Sequence, residues 1–366
     1  MVMEAFFKLI KLGLWGKGSN EGSRDIQLSD EQWKELFDLT THHTLDGIIY
    51  TGIQLLDVHS YPDSKLLFSL ASRVDQIERR NIRMNKFIAL QSSWFEKNKL
   101  QPILLKGQGI AQSYEHPLRR VCGDIDWYLS PADFTKSISL LKQKDISLKS
   151  LNPESLSYLS NNLVVEHHNK VFDLSNPFKK RVGRKLLEQW HADHIEMPLG
   201  GGFVKTLKPL GQIVQVNVHI LKHLLAFGIG FRQLCDSARI YYDFYGSYDP
   251  DELKDIYRKM GILHWSHYLH DILVQHFGLE RKYLPYPVPD GIDSRAMLDE
   301  IRESGNFGFY DKRYIGGKIN PFSIREGSLT RVWKSLRLYF PICPGETIFF
   351  VLKRIYQKPF NQVNPE

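Results

Sequence analysis

The chain has 366 residues, 42% of them hydrophobic and 24% charged, a composition typical of a globular protein with two or three packed units. Lysine and arginine exceed the acidic residues by 48 − 41 = 7, which suits an anionic ligand, but no clustered basic stripe indicates binding to nucleic acid. Three widely spaced cysteines argue against a disulfide framework or a zinc knuckle and favour a reducing cytoplasm: Cys122, Cys235 and Cys343.

Residues 1–27 are predicted to form an N-terminal segment and linker. The apolar residues between positions 6 and 14 share one helix face, but Lys8 and Lys11 interrupt the run, so the pattern is not that of a signal peptide. We expect this helix to dock on the protein's own core, with attachment to a membrane surface as the alternative. Residues 16–27 are polar and rich in glycine and serine, as linkers are.

Two helical regions are predicted on either side of the middle of the chain. In residues 28–100, Ser29 and Asp30 provide a helix start, and apolar residues recur at helical spacing through 64–98. Residues 215–366 return to helical spacing, interrupted by a proline-rich loop at 281–291. No run of about 18 apolar residues occurs, so no transmembrane segment is predicted.

Residues 101–214 have the pattern of an α/β core. Short apolar, β-prone runs lie at 101–107, 124–130 and 163–175, the last predicting one or two strands. A helix that Pro117 ends separates the first two runs, and a helix that Pro131 begins separates the last two. The order strand–helix–strand–helix–strand predicts an α+β fold, a small mixed β-sheet flanked by N- and C-terminal helical regions.

The most informative residues are Asp124 and Asp126. They sit one residue apart in an apolar strand pattern, so both carboxylates project from one face while Ile125 and Trp127 point to the core. Two adjacent ionised carboxylates repel each other, and each loses hydration energy when it is partly buried. A bound cation removes that cost, and Mg²⁺ suits such a site because it prefers oxygen ligands and keeps positions for water or phosphate.

Basic residues and glycines precede the acid pair. Gly107 and Gly109 allow the backbone to approach phosphate oxygens, and the amides that begin the following helix favour negative charge. Lys106 supplies a positive charge, with a solvated strand-end lysine as the alternative. Either Arg119 or Arg120 binds a phosphate, or both form ordinary surface salt bridges.

The combination of Lys106-Gly107, a short helix and the sequence GDID at 123–126 resembles nucleotidyltransferases of the DNA polymerase β type. More narrowly, it is similar to a largely uncharacterised bacterial branch with an LLKG…R…DIDW pattern. The likeness covers about residues 104–168, and the usual Gly-Ser or Gly-Gly of the turn is Lys-Gly here. The resemblance implies a third acid on a later strand, for which Glu166 is the candidate and Asp173 the alternative.

The resemblance also implies an activity and its ligands. Asp124, Asp126 and Glu166 would be the catalytic residues and hold two Mg²⁺ ions, or Mn²⁺, with Glu166 as ligand or general base. The reaction would move a nucleoside monophosphate from a nucleoside triphosphate to a hydroxyl of a small molecule or protein and release pyrophosphate. Gly123, directly before the acids, is assigned to nucleotide binding with Lys106, Gly107, Gly109, Arg119 and Arg120.

Two further residues are candidates for substrate contact. His168 would share the face of Glu166 in a strand, and Arg232 follows Gly228 and Gly230 in a helical run, although its spacing also suits an i, i+4 pair with Asp236. No nucleic-acid partner is expected, since no basic–aromatic stripe occurs. Two alternatives stay open: a non-catalytic nucleotide-binding or protein-interaction module on the same scaffold, and another metal-dependent phosphoryl-transfer enzyme.

Overall fold

The structure, a computed structural model, describes residues 1–18, 24–311, 313 and 329–356. Within these residues it has fourteen α-helices and a single seven-stranded sheet, which confirms the predicted α+β class with flanking helices. All seven strands lie between Ile103 and Leu207. Residues 19–23 of the predicted linker and 314–328 of the glycine-containing stretch before the last helices lie outside the described residues.

Four helices form the N-terminal region: α1 Val2–Trp15, α2 Asp30–His42, α3 Asp46–Ile53 and α4 Ser64–Lys97. Ser29 and Gln32 form a capping box, which explains why α2 begins where the sequence predicts. Helix α1 buries Phe6 and Leu9 and packs on α3, as expected of a helix that docks on the protein's own core. The crossing is close, because a Cβ at Gly52 would lie 2.3 Å from the Leu9 carbonyl oxygen.

The seven strands run in the spatial order β3-β4-β5-β2-β1-β7-β6. Their bounds are β1 Ile103–Leu105, β2 Asp124–Tyr128, β3 Lys149–Asn152, β4 Ser155–Ser160, β5 Leu163–His168, β6 His194–Leu199 and β7 Gly202–Leu207. Strand β2 is parallel to β5 and antiparallel to β1, and β1 is parallel to β7. The sheet is therefore mixed, with β5, β2 and β1 at its centre.

The sheet is larger than the small sheet predicted from three apolar runs. Strands β3, β4, β6 and β7 were missed. Strand β3 is exposed along its whole length and most of β6 is solvent-accessible, so neither shows the apolar alternation of a half-buried strand. Strands β4 and β7 bury several residues, so exposure does not explain why they were missed. Residues 163–175 contain one strand, β5. The helix predicted up to Pro117 is shorter: α5 covers only Gly107–Ala111.

Helices cover the sheet and complete the C-terminal region. Their bounds are α6 Pro131–Lys142, α7 Pro177–Ala192, α8 Pro209–Ala226, α9 Phe231–Asp243, α10 Pro250–Met260, α11 Leu263–Phe277, α12 Arg295–Ser304, α13 Leu329–Tyr339 and α14 Pro344–Tyr356. Helix α8 is buried along most of its length. Its Asn217 amide donates hydrogen bonds to the hydroxyls of Tyr241 and Tyr257, which ties α8 to α9 and α10. No helix in the described part of the chain is long and apolar enough to cross a membrane.

Candidate functional site

A cavity of about 530 Å³ lies between the sheet and helices α8 and α9. Its sheet side carries most of the predicted site residues: Lys106, Gly107, Gly123, Asp124, Asp126, Glu166 and His168. Its helix side carries residues of α8 and α9 together with the segment that follows α12: Gln215, His219, Lys222, His223, Arg232, Asn306 and Phe307. The cavity therefore joins parts of the chain that are distant in sequence, from Lys106 to Phe307.

Two neighbouring strands bring three carboxylates to one face of the sheet. Strands β2 and β5 pair in parallel register, with Asp124 opposite Val164 and Asp126 opposite Glu166. Opposed residues share a face, and residues two apart on one strand share it too. Asp124, Asp126 and Glu166 therefore project together from the sheet into the cavity, as the strand pattern predicts for the two aspartates.

The opposite face of the same strands is fixed by a buried hydrogen-bond network. Trp127 Nε1 donates to Gln91 Oε1 at 3.0 Å, and Gln91 Nε2 donates to the hydroxyl of Tyr158 at 2.9 Å. That hydroxyl and Ser137 Oγ lie 3.2 Å and 3.1 Å from the two ring nitrogens of His167. Because Trp127 and His167 alternate with the acids, this network holds the position of the carboxylates on the other face.

Lys106 reaches the acids from the turn between β1 and α5. Its Nζ lies 3.3 Å from Asp126 Oδ2. The backbone at Lys106 and Gly107 has positive φ angles of 44° and 43°, a conformation that costs energy for a residue with a side chain, as Lys106 has. A Cβ at Gly107 would lie 3.1 Å from Cys122 Sγ, so this position requires glycine both for its φ and for space.

His168 lies among the carboxylates. Its Nε2 is 2.9 Å from Asp126 Oδ1 and 3.3 Å from Glu166 Oε2. Asp126, Glu166 and His168 each place one ligand atom within 4.8 Å of the others, a spacing suited to a metal ion. The sequence assigned His168 to substrate contact, whereas the structure places it beside the predicted metal ligands.

The charges around Asp126 are balanced, and those around Asp124 are not. Repulsion from Asp126, followed by burial, raises the pKa of Asp124 to about 6. Burial opposes ionisation of Asp126, but Lys106 and the hydrogen bond from His168 outweigh it and hold the pKa of Asp126 below its ordinary value. Burial likewise opposes the charge of His168, yet its hydrogen bonds to Asp126 and Glu166 outweigh burial and raise its pKa.

The two predicted phosphate-binding arginines have different positions. Arg119 lies outside the cavity lining, where its guanidinium donates to Glu78, Thr51 and Gln54. Arg120 lines the cavity but forms a bidentate pair with Asp236, at 2.6 Å and 2.7 Å. Asp236 therefore pairs with Arg120 and not with Arg232 four residues before it, because the bidentate geometry satisfies both carboxylate oxygens.

Arg232 lines the cavity without a carboxylate partner among the described residues. Its Nε donates to Thr44 Oγ1 and its Nη1 to the carbonyl oxygen of Val121, both at 3.0 Å. Burial, followed by repulsion from Arg120, lowers the pKa of Arg232. Thr44 has a φ of 55°, which is strained for a β-branched residue. The fold thus holds a guanidinium in the cavity at an energetic cost, as anion-binding sites do.

The remaining predicted residues divide between the cavity and its surroundings. Gly123 lines the cavity, whereas Gly109 does not. Asp173, the alternative third acid, lines the cavity but its carboxylate binds Lys222 at 2.8 Å and Lys170 at 3.2 Å. The structure therefore brings Glu166, rather than Asp173, beside Asp126.

Sequence reasoning missed the part of the cavity wall that α8 provides. His219 and His223 both line the cavity, with ring centroids 4.3 Å apart. Their i, i+4 spacing was visible in the sequence and pointed to a shared helix face, but nothing in the sequence showed that this face meets the sheet. Burial, with repulsion from nearby lysines, lowers the pKa of both histidines well below the ordinary value, so both are neutral near pH 7.

Comparison with known proteins places the chain in a family. No curated protein matches its sequence. One solved structure is described as an antigenic nucleotidyltransferase-like protein from Paracoccidioides brasiliensis. The alignment covers 55% of the present chain and 94% of the fungal protein's chain, at 14% sequence identity and a TM-score of 0.34. A TM-score this low supports no argument about the present chain. Residues 29–278 match the family described as "Uncharacterised nucleotidyltransferase". Since this match covers more than half of its length, the chain belongs to that family of uncharacterised nucleotidyltransferases.

Proposed function

We propose that the chain is a Mg²⁺-dependent nucleotidyltransferase that moves a nucleoside monophosphate from a nucleoside triphosphate to a hydroxyl and releases pyrophosphate. The observation that carries this proposal is the pairing of β2 with β5, which brings Asp124, Asp126 and Glu166 to one face inside the cavity. Family membership agrees with nucleotidyl transfer in general. We also infer that the chain belongs to the DNA polymerase β-type superfamily and acts in the cytoplasm.

The residues present fit a divalent cation. The ligand atoms of Asp126, Glu166 and His168 lie within 4.8 Å of one another, and Asp124 adds a carboxylate on the same face. Repulsion between Asp124 and Asp126 is the cost that a cation would remove. Carboxylate oxygens suit Mg²⁺, and an imidazole nitrogen beside them suits Mn²⁺, so either ion fits and two ions are possible with three carboxylates. When bound, the metal supplies positive charge at the reacting phosphate.

The cations of the cavity would bind the triphosphate. Within the described part of the chain, Arg232 has two hydrogen-bond acceptors from the protein but no carboxylate, so a phosphate oxygen would supply the missing negative charge. Lys106 lies at Asp126 and would exchange this contact for a phosphate when the carboxylate binds metal. Arg120 is paired with Asp236, so it would not bind the phosphate directly. It would instead contribute positive charge to the cavity and hold the wall at α9 in position.

The proposed step balances as a displacement at the α-phosphorus. The acceptor oxygen forms a bond to the α-phosphorus, and the bond from that phosphorus to the oxygen bridging the β-phosphate breaks, so that pyrophosphate leaves. Glu166 lies on the same face as Asp126 and would either hold metal or accept the proton of the acceptor hydroxyl. The acceptor is proposed to be a small molecule or a protein side chain.

Binding and turnover test this proposal in sequence. Titration calorimetry with each nucleoside triphosphate should show binding that requires Mg²⁺ or Mn²⁺, and it should be lost in Asp124→Asn/Asp126→Asn. Asp173→Asn is the matched control, since this acid pairs with lysines at the edge of the site. Glu166→Gln should lower transfer more strongly than Asp173→Asn, because Glu166 lies beside Asp126 and Asp173 pairs with Lys170 and Lys222 instead.

Labelled substrates then distinguish the candidate reactions. With a mixture of hydroxyl-bearing metabolites and proteins as acceptors, label at the α-phosphate should move to an acceptor while pyrophosphate accumulates. Label that moves from the γ-phosphate, or free phosphate without labelled acceptor, would identify a different phosphoryl-transfer enzyme or a hydrolase. Metal-dependent binding without any product would identify a non-catalytic module.

A further inference from the structure

A basic and apolar surface lies where the first turns of α7 meet α14. The Phe178 ring packs against the Phe349 ring with centroids 6.2 Å apart. The Glu346 carboxylate accepts hydrogen bonds from the backbone N–H groups of Ser175 and Asn176, directly before α7. The beginnings of the two helices are thus fixed to each other, and their exposed residues form one surface, here called the α7–α14 surface.

An apolar stripe on this surface faces solvent. Ile348, Leu352 and Ile355 are 41%, 38% and 58% exposed, and their i, i+4, i+7 spacing puts them on one face of α14. Phe178 is 74% exposed on the neighbouring helix. Large apolar side chains exposed side by side mark a binding surface, because isolated ones are common but adjoining ones are not.

The charges near the stripe are mainly positive. Residues 177–187 contain no acid and five cations: Lys179, Lys180, Arg181, Arg184 and Lys185. Arg181 and Lys185 lie three and seven residues after Phe178, so they share its helix face. In α14, Lys353 and Arg354 are cations, and the only acid, Glu346, is buried under the start of α7. The apolar stripe therefore adjoins a concentrated positive charge.

Lys353 of α14 lies within electrostatic range of charges on other elements. Burial lowers the pKa of Lys353, and repulsion from Lys180, Lys170 and Arg354 lowers it further, although Asp173 acts in the opposite direction. Lys180 belongs to α7 and Lys353 to α14, so the two helices contribute to one positive region. Such a region is stabilised when it lies against negative charge.

We propose that the α7–α14 surface docks on an anionic membrane. Apolar side chains that enter the boundary between headgroups and acyl chains, beside lysines and arginines that reach the headgroups, are the pattern of an interfacial helix. Phe178 is one exposed ring beside the aliphatic Ile348 and Leu352, whereas base stacking uses a succession of rings, so nucleic acid is disfavoured. Because the cations are spread over two helices, they complement an extended negatively charged surface better than a single acidic group.

The docking surface borders the candidate site. Asp173 and Lys170 line the cavity, and both interact electrostatically with Lys353 of α14. A membrane bound at the α7–α14 surface would therefore lie beside the cavity. This inference does not depend on the proposed reaction, since it rests on residues outside the carboxylate cluster.

Vesicle sedimentation tests the proposal with the full-length chain. The chain should sediment with vesicles of phosphatidylcholine and phosphatidylglycerol in equal parts, much less with phosphatidylcholine alone, and less as salt is added. Arg181→Gln/Lys185→Gln should weaken partitioning about 30-fold, since each cation near an anionic surface strengthens it about fivefold. Ile348→Ser/Leu352→Ser should weaken it at least about tenfold.

Control variants keep the result interpretable. Lys34→Gln/Lys65→Gln removes two exposed cations from α2 and α4 and should leave partitioning unchanged. Circular dichroism and thermal melting should show that every variant is folded. Failure of the parent chain to bind anionic vesicles, or equal losses in the control pair, would overturn the proposal. Dimers that only Ile348→Ser/Leu352→Ser abolishes, without vesicle binding, would assign the surface to a second copy of this chain instead.

Discussion

Asp124 and Asp126 stand two residues apart on one strand face, yet their replacement by asparagine should shift stability in opposite directions. Asp124 forms no side-chain hydrogen bond or ion pair within the described structure, and repulsion from Asp126 raises its pKa to about 6. The difference from the ordinary value of 3.8 corresponds to about 3 kcal/mol of unfavourable interaction when the carboxylate is ionised. Asp124→Asn keeps the shape of the side chain and removes that cost, so the metal-free chain should become more stable.

Asp126→Asn removes a carboxylate that other residues need. Lys106 Nζ lies 3.3 Å and His168 Nε2 2.9 Å from its oxygens, so the variant takes away the carboxylate that accepts from both side chains. Breaking such an arrangement by removing one partner costs about 3–5 kcal/mol, and relief of the repulsion on Asp124 offsets part of this cost. The two conservative changes therefore differ in sign although the residues are chemically identical.

Thermal melting at pH 8 with EDTA measures the difference. An unfolding entropy of about 2.1 cal/mol/K per residue turns 3 kcal/mol into an upward shift of about 4 °C for Asp124→Asn in a chain of this length. The melting midpoint of Asp126→Asn should move downward by a smaller amount. Mg²⁺ with a nucleoside triphosphate, at a ligand concentration a hundred times the Kd, should stabilise the parent chain by about 2.7 kcal/mol. The same ligands should not stabilise either variant. Midpoints that move in the same direction for both variants would refute this account of the charge balance.

Two further predictions concern groups away from the acids. Asp236→Ala leaves the Arg120 guanidinium buried without its bidentate partner and the Tyr114 hydroxyl without its acceptor. The free energy of unfolding, measured in urea, should therefore fall by about 3–5 kcal/mol. The double variant Arg120→Met/Asp236→Leu should recover most of this loss, and a double variant no more stable than Asp236→Ala would contradict the prediction. Burial, aided by neighbouring histidines, lowers the pKa of both His43 and His270 from 6.5 to about 3. The unfolded chain therefore binds protons first as pH falls below 6.5, and each histidine should lower the free energy of unfolding by about 2 kcal/mol between pH 7.5 and pH 5. His270→Gln should lessen that acid sensitivity by the same amount, and an unchanged pH dependence would show that another group causes it.

Those parts of the site that depend on local chain geometry could be predicted from the sequence. Alternation along a strand is enough to put Asp124 and Asp126 on one face, and the structure has them there because β2 spans Asp124–Tyr128. The turn at Lys106-Gly107 was likewise recognised from a glycine after an apolar run. Neither inference required knowledge of which strand lies beside which.

Contacts between distant segments could not be predicted in the same way. Spacing suggested that Asp236 pairs with Arg232, but its partner is Arg120, 116 residues earlier in the chain. Glu166 was only one of two candidates for the third acid, because the choice depends on the register of β5 against β2. The tertiary structure decides which distant side chains pair, and the i, i+4 spacing within one helix gives no information about partners on other elements.

The sheet edges show a second limit. Strand β3 has four exposed residues, Lys149–Asn152, and pairs only with β4, so its stability comes from backbone hydrogen bonds and not from an apolar face. An exposed edge strand has no apolar alternation in its sequence, although β4 and β7, which lie inside the sheet and bury several residues, were missed as well. The functional centre was recognised because it lies on β2, the strand between β5 and β1.

The positions of Lys106 and His168 indicate why the acid cluster can exist before metal binds. Three carboxylates on one sheet face would repel one another strongly if nothing positive lay among them. The fold places a lysine from a strained turn and a histidine from β5 against Asp126, and it leaves the repulsion on Asp124 alone. A cation that arrives at this site therefore meets Asp124, a carboxylate with no ion-pair partner among the residues that the structure describes, and its binding frees Lys106 for an anion in the same cavity. Metal and triphosphate should consequently bind with positive cooperativity. The metal takes over Asp126 and so releases Lys106 for the triphosphate, and the triphosphate draws Lys106 away from Asp126 and so opens that carboxylate to the metal.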